Sequence, residues 1–209
     1  MNWDQQYKDG HGRYFPAEEL VRFLGRTYGP VTGLGGGGLT AVEIGCGVGG
    51  NVRALAEWGF FTYGLDSSQE SLKLARKYAE EKRFSDWAMY MSYHAPHGFN
   101  FPAGSINLVL DVQTIQHLNL ADHQTMYQEI RRVLSGKGVF FSIHWVGPVS
   151  DLPHIFPDHP ELSLWQSSDV VRELLEEAGF LVRYHEIVSK TYQGKDKEGR
   201  WAIMEAVKA

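Results

Sequence analysis

The stretch Leu39 to Asn51, LTAVEIGCGVGGN, constrains this chain more than any other. An apolar run reaches an acid, Glu43, and then passes through four glycines in six residues (Gly45, Gly47, Gly49 and Gly50) into a helical pattern. That order of residues describes a buried strand, a tight turn and a helix start, with main-chain N–H groups of the turn left free to meet a ligand. A second acid, Asp66, closes the next apolar run, FFTYGLD (60–66). Two strand-end acids beside one glycine turn commit the chain to an α/β arrangement with its chemistry at the carboxyl ends of the strands.

The remaining periodicity repeats the unit. Residues 1–15 are polar with interspersed rings, among them Trp3, Tyr7 and Tyr14. Pro16 and AEELVRFLGRTYG give an amphipathic helix with Leu20, Phe23 and Leu24 on one face, stopped by Gly29-Pro30, and GLGGGG (33–38) is a connector. Strands are expected over 40–45, 60–66, 87–95, 106–112 and 139–145. Helices are expected from Gly50, from SQESLKLARKYAEEKR with Ser67 or Ser68 as cap, and over DHQTMYQEIRRVLSGKG. Strands alternating with helices predict a doubly wound, parallel sheet with helices on both faces. The pattern loosens over 146–166, which carries four prolines. A long irregular segment of that kind reads as a functional loop capping a site. Beyond it, Ser168 is the expected cap of DVVRELLEEAG, followed by two closing strands joined at GKDKEG. One domain over 1–209 is expected, with 1–38 as an N-terminal arm and helix.

Composition excludes several classes. The net charge of −5 and the absence of a Lys/Arg block argue against a protein that grips a nucleic-acid backbone. A single cysteine, Cys46, precludes an internal disulfide, and no metal site is expected. No apolar run reaches membrane-spanning length and the first residues are polar, so the expectation is a soluble cytoplasmic protein without membrane contact.

Gly45, Gly47 and Gly50 spell G-x-G-x-x-G, the dinucleotide fingerprint, which alone is a weak signal. Glu43 decides against a dinucleotide, because a carboxylate at that strand end would face a pyrophosphate. It suits a ligand with a positive amino-acid end and no phosphate, such as S-adenosylmethionine, and Asp66 can accept from both ribose hydroxyls. With VEIGCGVGG, YGLDSS, FPAGSINLVLDVQTIQHL, EIRRVLSGKGVFFSIHW and LLEEAGF in this order, the chain resembles the class I S-adenosylmethionine-dependent methyltransferases. The resemblance implies a Rossmann-like seven-stranded sheet whose last strand is antiparallel. It implies S-adenosyl-L-methionine held by Glu43, Gly45, Cys46, Gly47 and Gly49 around the methionine part, and by Asp66 and Ser67 at the ribose. Asp111 and Val112 fall beside the methyl group. Many relatives carry an Asp after strand three for the adenine amino group. Here SYHAPH stands in that place, so Ser92, Tyr93 or His94 substitutes.

On the acceptor side, His117 and His144 have the imidazole chemistry of a general base. Trp145 lies at the carboxyl edge of the fifth strand, and Trp3, Tyr7 and Tyr14 are candidates for a lid. His154, Phe156, His159 and Trp165 are candidates to shape the acceptor pocket. Tyr78 and Lys82 imitate the Tyr-x-x-x-Lys of short-chain dehydrogenases, but on the helix after strand two they are expected to face solvent. The acidic balance and the lack of an N-P-P-Y-type tetrapeptide favour a small-molecule methyl acceptor. An NAD(P)-dependent oxidoreductase and a non-catalytic cofactor-binding protein are the rival expectations.

Overall fold

A computed structural model describes residues 2–146, 167–191 and 198–209. It contains a seven-stranded sheet in the order β3-β2-β1-β4-β5-β7-β6. The strands are β1 (Leu39–Ile44), β2 (Phe60–Asp66), β3 (Ala88–Ser92), β4 (Ile106–Val112), β5 (Leu134–Trp145), β6 (Phe180–Thr191) and β7 (Glu198–Lys208). β1, β2 and β3 pair in parallel, and β7 inserts between β5 and β6 antiparallel to both. The expected doubly wound sheet with an antiparallel last strand is therefore present. The helices are α1 (Trp3–Lys8), α2 (Glu18–Tyr28), α3 (Gly50–Glu57), α4 (Gln69–Glu81), α5 (Leu120–Val133) and α6 (Ser168–Glu177). The chain forms two compact units, residues 1–94 with 106–110, and residues 95–105 with 111–209.

In the first unit the apolar spacing sets the core. Leu20, Phe23 and Leu24 of α2 are buried, as are Val52, Leu55 and Ala56 of α3. These are the i, i+3, i+4 faces that helical periodicity assigns inward. Gly29 ends α2 at φ 78, a conformation that leaves side chains strained. Ser68 caps α4 by accepting from the Ser71 N–H. Tyr78 corrects an expectation. It is buried against Phe84, and its hydroxyl donates to the Tyr14 carbonyl at 2.7 Å, so it is a packing residue of α4. The helix α1 was not expected. Its Asn2 cap accepts from Gln5 N–H, and Asp4 in its first turn is held by α4.

In the second unit α5 ends at Val133 and the chain enters β5 at Leu134 without a loop. The sequence predicts a helix through Ser135-Gly136-Lys137-Gly138 and a strand from Val139. Neither glycine adopts the left-handed conformation that stops a helix, so both continue as extended chain. Residues 95–105 are pinned to α5 by Glu129, which accepts from Phe99 N–H at 2.6 Å and pairs with Arg132 at 2.7 Å. Ser167, not Ser168, occupies the N-cap of α6, and Ser168 is a buried first-turn residue. Residues 147–166, with His154, Phe156, His159 and Trp165, and residues 192–197 of the closing turn lie outside the described residues.

Candidate functional site

The turn between β1 and α3 is built by the sequence feature that opened the chain's logic. Gly45, Gly47 and Gly49 all take left-handed conformations. Gly49 at φ 87 is also where a Cβ would come within 2.8 Å of the Tyr90 hydroxyl, so glycine is required twice over. Asp66 at the tip of β2 clamps this turn. Its Oδ2 accepts from Gly47 N–H and its Oδ1 from Ser68 N–H, both at 2.9 Å. Parallel register sets Ile44 beside Leu65 and Asp66 beside Ser92, which brings the strand tips level. Glu43, 1% exposed, accepts from the Asn51 side-chain amide at 2.7 Å. The Asn51 oxygen in turn accepts from Ala17 N–H at 2.8 Å, tying the start of α2 to the strand-tip acid.

The two acids make the turn electronegative. Burial, and then the charges of Glu43 and Asp66, push the Cys46 thiol well above its ordinary value. Burial followed by the Asp66, Cys46 and Glu43 charges does the same to the Tyr7 phenol. Burial also raises Asp66 itself, against the hydrogen bonds from Ser68 and Gly47 that oppose it. A cation is favoured here and a pyrophosphate is not.

The N-terminal arm closes over this turn. Tyr7 lies against Gly47, where a Cβ would meet its hydroxyl at 2.9 Å, and Trp3, Tyr7 and His11 form one ring cluster. Asp4 accepts from the Ser68 hydroxyl at 2.6 Å and from Glu70 N–H at 3.1 Å, and these bonds hold its carboxyl below the ordinary value. Gly50 faces the backbone carbonyls of Arg13 and Phe15, both closer than a Cβ tolerates. Gly50→Ala is therefore expected to unseat residues 2–15. Limited proteolysis reads this as faster cleavage within the arm while the urea midpoint moves little; unchanged cleavage would mean that the arm is not seated there. The Tyr14 backbone lies against Gly50 and its ring turns to α4. It packs edge-on to Tyr78 at 5.1 Å and lines a cleft of about 350 Å³ with Phe15, Arg53, Leu74 and Lys82.

In the second unit, the turn after β4 is clamped to β5. Asp111 Oδ1 accepts from Thr114 N–H at 2.9 Å and Ile115 N–H at 3.1 Å. Gln113, at φ 63, donates its N–H to the Ile143 carbonyl, and Gln116 accepts from Trp145 N–H at 2.7 Å. The product of these clamps is a single 3-10 turn, Ile115–His117. His117, Val112 and Trp145 are half-buried. Trp145 stacks on Trp201 across the strand pair at 6.2 Å. His144 is enclosed, and burial pulls its imidazole down to about 3, so it is neutral and a weak base.

The expected residues thus divide. Glu43, Gly45, Gly47, Gly49 and Asp66 come together at one turn with Tyr7. Tyr93 donates its N–H to the Asp66 carbonyl, and His94 follows it exposed. Ser67 is exposed beside them. Cys46 turns its thiol into the core with Val52, Leu72 and Tyr90, and its N–H is used by the Leu65 carbonyl. Sequence reasoning passed over Asn51, Gln116, His123 and Tyr127. For Asn51 the sequence offers no signal beyond a polar residue at a helix start. Among the described residues no helix is long and apolar enough to cross a membrane, and no group of three His, Cys, Asp or Glu is placed to hold a metal.

A family model described as a methyltransferase domain matches residues 42–142. The sterol 24-C-methyltransferase of Yarrowia lipolytica is 26% identical over 160 residues, 71% of this chain and 41% of that protein. The 2-methyl-6-phytyl-1,4-hydroquinone methyltransferase of Synechocystis is 28% identical over 109 residues, 52% of this chain and 32% of that one. The chain spans less than half the length of these relatives. Geranyl diphosphate C-methyltransferase from Streptomyces coelicolor, solved with Mg2+, geranyl diphosphate and S-adenosyl-L-homocysteine, superposes with a TM-score of 0.70. The identity is 16% over 91% of this chain and 78% of that chain, a likeness of fold. Residues 42–142, just under half of the chain, are thus similar to a methyltransferase domain, on a sheet whose fold is shared with solved S-adenosylmethionine-dependent methyltransferases.

Proposed function

We propose that this chain transfers a methyl group from S-adenosyl-L-methionine to a small-molecule acceptor. The observation that carries the reading is the electronegative glycine turn, with the Glu43 and Asp66 carboxylates buried at neighbouring strand tips. The residues fit the cofactor. Asp66 spends one lone pair of each oxygen on a backbone N–H and keeps capacity for ribose hydroxyls. Gly45, Gly47 and Gly49 let the turn take its left-handed conformations beside the two acids, and Glu43 supplies the negative charge that the amino end of the methionine part calls for. Ser67, Tyr93 and His94 are the candidates at the ribose and adenine, and Trp3 and Tyr7 at the lid. When bound, the cofactor supplies a sulfonium methyl carbon that an acceptor lone pair displaces in line.

The chain's own task is to exclude water and align the acceptor. On the acceptor side the candidates are Val112, His117 and Trp145. His117 is the half-exposed imidazole and the better candidate base where the acceptor loses a proton. The net charge of −5 supports a small acceptor over nucleic acid. The names of the relatives, which act on a sterol and a prenylated hydroquinone, support an apolar one. The reading includes a cytoplasmic location, which suits a single unpaired cysteine. An NAD(P)-dependent oxidoreductase is disfavoured by the field at the turn.

Calorimetric titration tests this with S-adenosylmethionine, S-adenosylhomocysteine and NAD(P)H in parallel, followed by a labelled-methyl screen of small acceptors. Binding of the first two is expected. Binding of NAD(P)H alone would overturn the cofactor, and cofactor binding without turnover on any acceptor would leave a non-catalytic binding protein.

A further inference from the structure

Asp111 uses one carboxylate oxygen on the turn it precedes. Its other oxygen, Oδ2, is enclosed and makes no hydrogen bond among the described residues, and the same is true of Nε2 of His144. The two atoms face each other at 3.7 Å, in side chains exposed by 0% and 2%. Buried polar atoms without partners are uncommon. Here two of them point at one another, a separation that closes to a hydrogen bond once one proton lies between them.

The surroundings keep that proton in place. Along β5, Phe140, Ser142 and His144 alternate onto one face. The Tyr127 ring meets Phe140 at 6.0 Å, so α5 covers this face, with His123 and Tyr127 one turn apart on it. The groups around the pair are therefore His123 and Tyr127 from α5, Ser142 from β5, and Gln116 and His117 from the 3-10 turn. No fixed positive charge is among them. Burial raises the Asp111 carboxyl to about 7. It lowers His144, as does His123, and His123 is itself lowered by burial. Each group is driven to its neutral form, with the proton on the acid.

We propose that Asp111 and His144 act as one unit that shares a single proton, and that this unit positions the turn after β4 and with it His117. A carboxylate in this enclosure has no counter-charge among the described residues, so loss of the proton draws water toward Asp111 Oδ2 and tightens the hydrogen bonds that Oδ1 accepts from Thr114 and Ile115. The significance for catalysis rests on the methyl-transfer reading; the proton-sharing itself does not.

Spectroscopy on the full chain tests it without cofactor or acceptor, so its failure is separate from failure of that reading. Infrared spectra should contain a protonated-carboxyl band that vanishes as pH rises through about 7 and is absent from Asp111→Asn. The His144 imidazole, assigned by its loss in His144→Gln, should stay neutral where exposed histidines are charged. The Thr114 and Ile115 amides and the His117 ring should shift with the midpoint of the infrared band in wild type and not in Asp111→Asn. Charging of His144 at an ordinary imidazole pH, or no such carboxyl band, overturns the shared proton. A titrating carboxyl with an unresponsive His117 overturns the positioning role. If Asp111→Asn does not fold, His144→Gln carries the test, because removing the imidazole should move the carboxyl midpoint.

Discussion

Asp66→Ala is expected to weaken cofactor binding about 100-fold while leaving a folded chain. The side chain is 7% exposed and accepts two main-chain hydrogen bonds, one from each of the turns that follow β1 and β2. Ser68, the second donor, caps α4 and holds Asp4 of the N-terminal arm. Alanine removes the clamp and the acceptor for ribose hydroxyls in one change. Two hydrogen bonds to a charged group contribute about 1.5 kcal/mol each at the low end, which is a loss of roughly 100-fold in affinity. Calorimetry with S-adenosylhomocysteine reads it. Unchanged affinity in a folded Asp66→Ala would remove Asp66 from the site. The sign with pH also follows. Burial holds this carboxyl above its ordinary value, and the protonated acid is a poorer acceptor, so wild-type affinity should fall as pH drops through the raised value.

Much of the fold was legible because its central strands are largely buried on both faces. β2 and β4 appear in the sequence as apolar runs, 60–66 and 106–112, and the structure keeps those boundaries. The strand-tip acids were legible for the same reason, since a charge closing such a run has few places to go. What escaped is what tertiary contacts decide. The six residues of α1 are too few to fold by propensity, and their order comes from Asp4 on Ser68 and Glu70, partners more than 60 positions away. Gly136 and Gly138 look like a helix stop and are strand. His123 and Tyr127 share a face of α5, and nothing in the residue types says that this face carries buried polar groups against β5. Tyr78 misled in the same way. His144 was read for its chemistry, and its enclosure, which removes it as a base, is not written in SIHW.

Asn51, which nothing in the sequence marks as more than a helix-start polar residue, is expected to be among the least replaceable side chains in the first unit. It joins the Glu43 carboxylate to the Ala17 N–H, and thereby the strand-tip acid to the start of α2. Asn51→Leu keeps the volume and removes both bonds. Weakening a buried carboxylate's hydrogen bonding and orphaning a main-chain N–H should together cost about 3–5 kcal/mol. That is a large part of the stability of a domain this size. Asn51→Asp separates charge from shape. The oxygen facing Ala17 survives, but a second carboxylate then sits against Glu43, at the 2.7 Å the amide now occupies, and one of the two must hold a proton. A carboxyl raised in the fold contributes stability at low pH that is lost as pH rises through its folded value. The urea midpoint of Asn51→Asp should therefore approach wild type in acid and fall below it at neutral pH, while Asn51→Leu stays low at both. If both variants match wild type at neutral pH, Glu43 does not depend on Asn51, and the link from the glycine turn to α2 must run through other contacts.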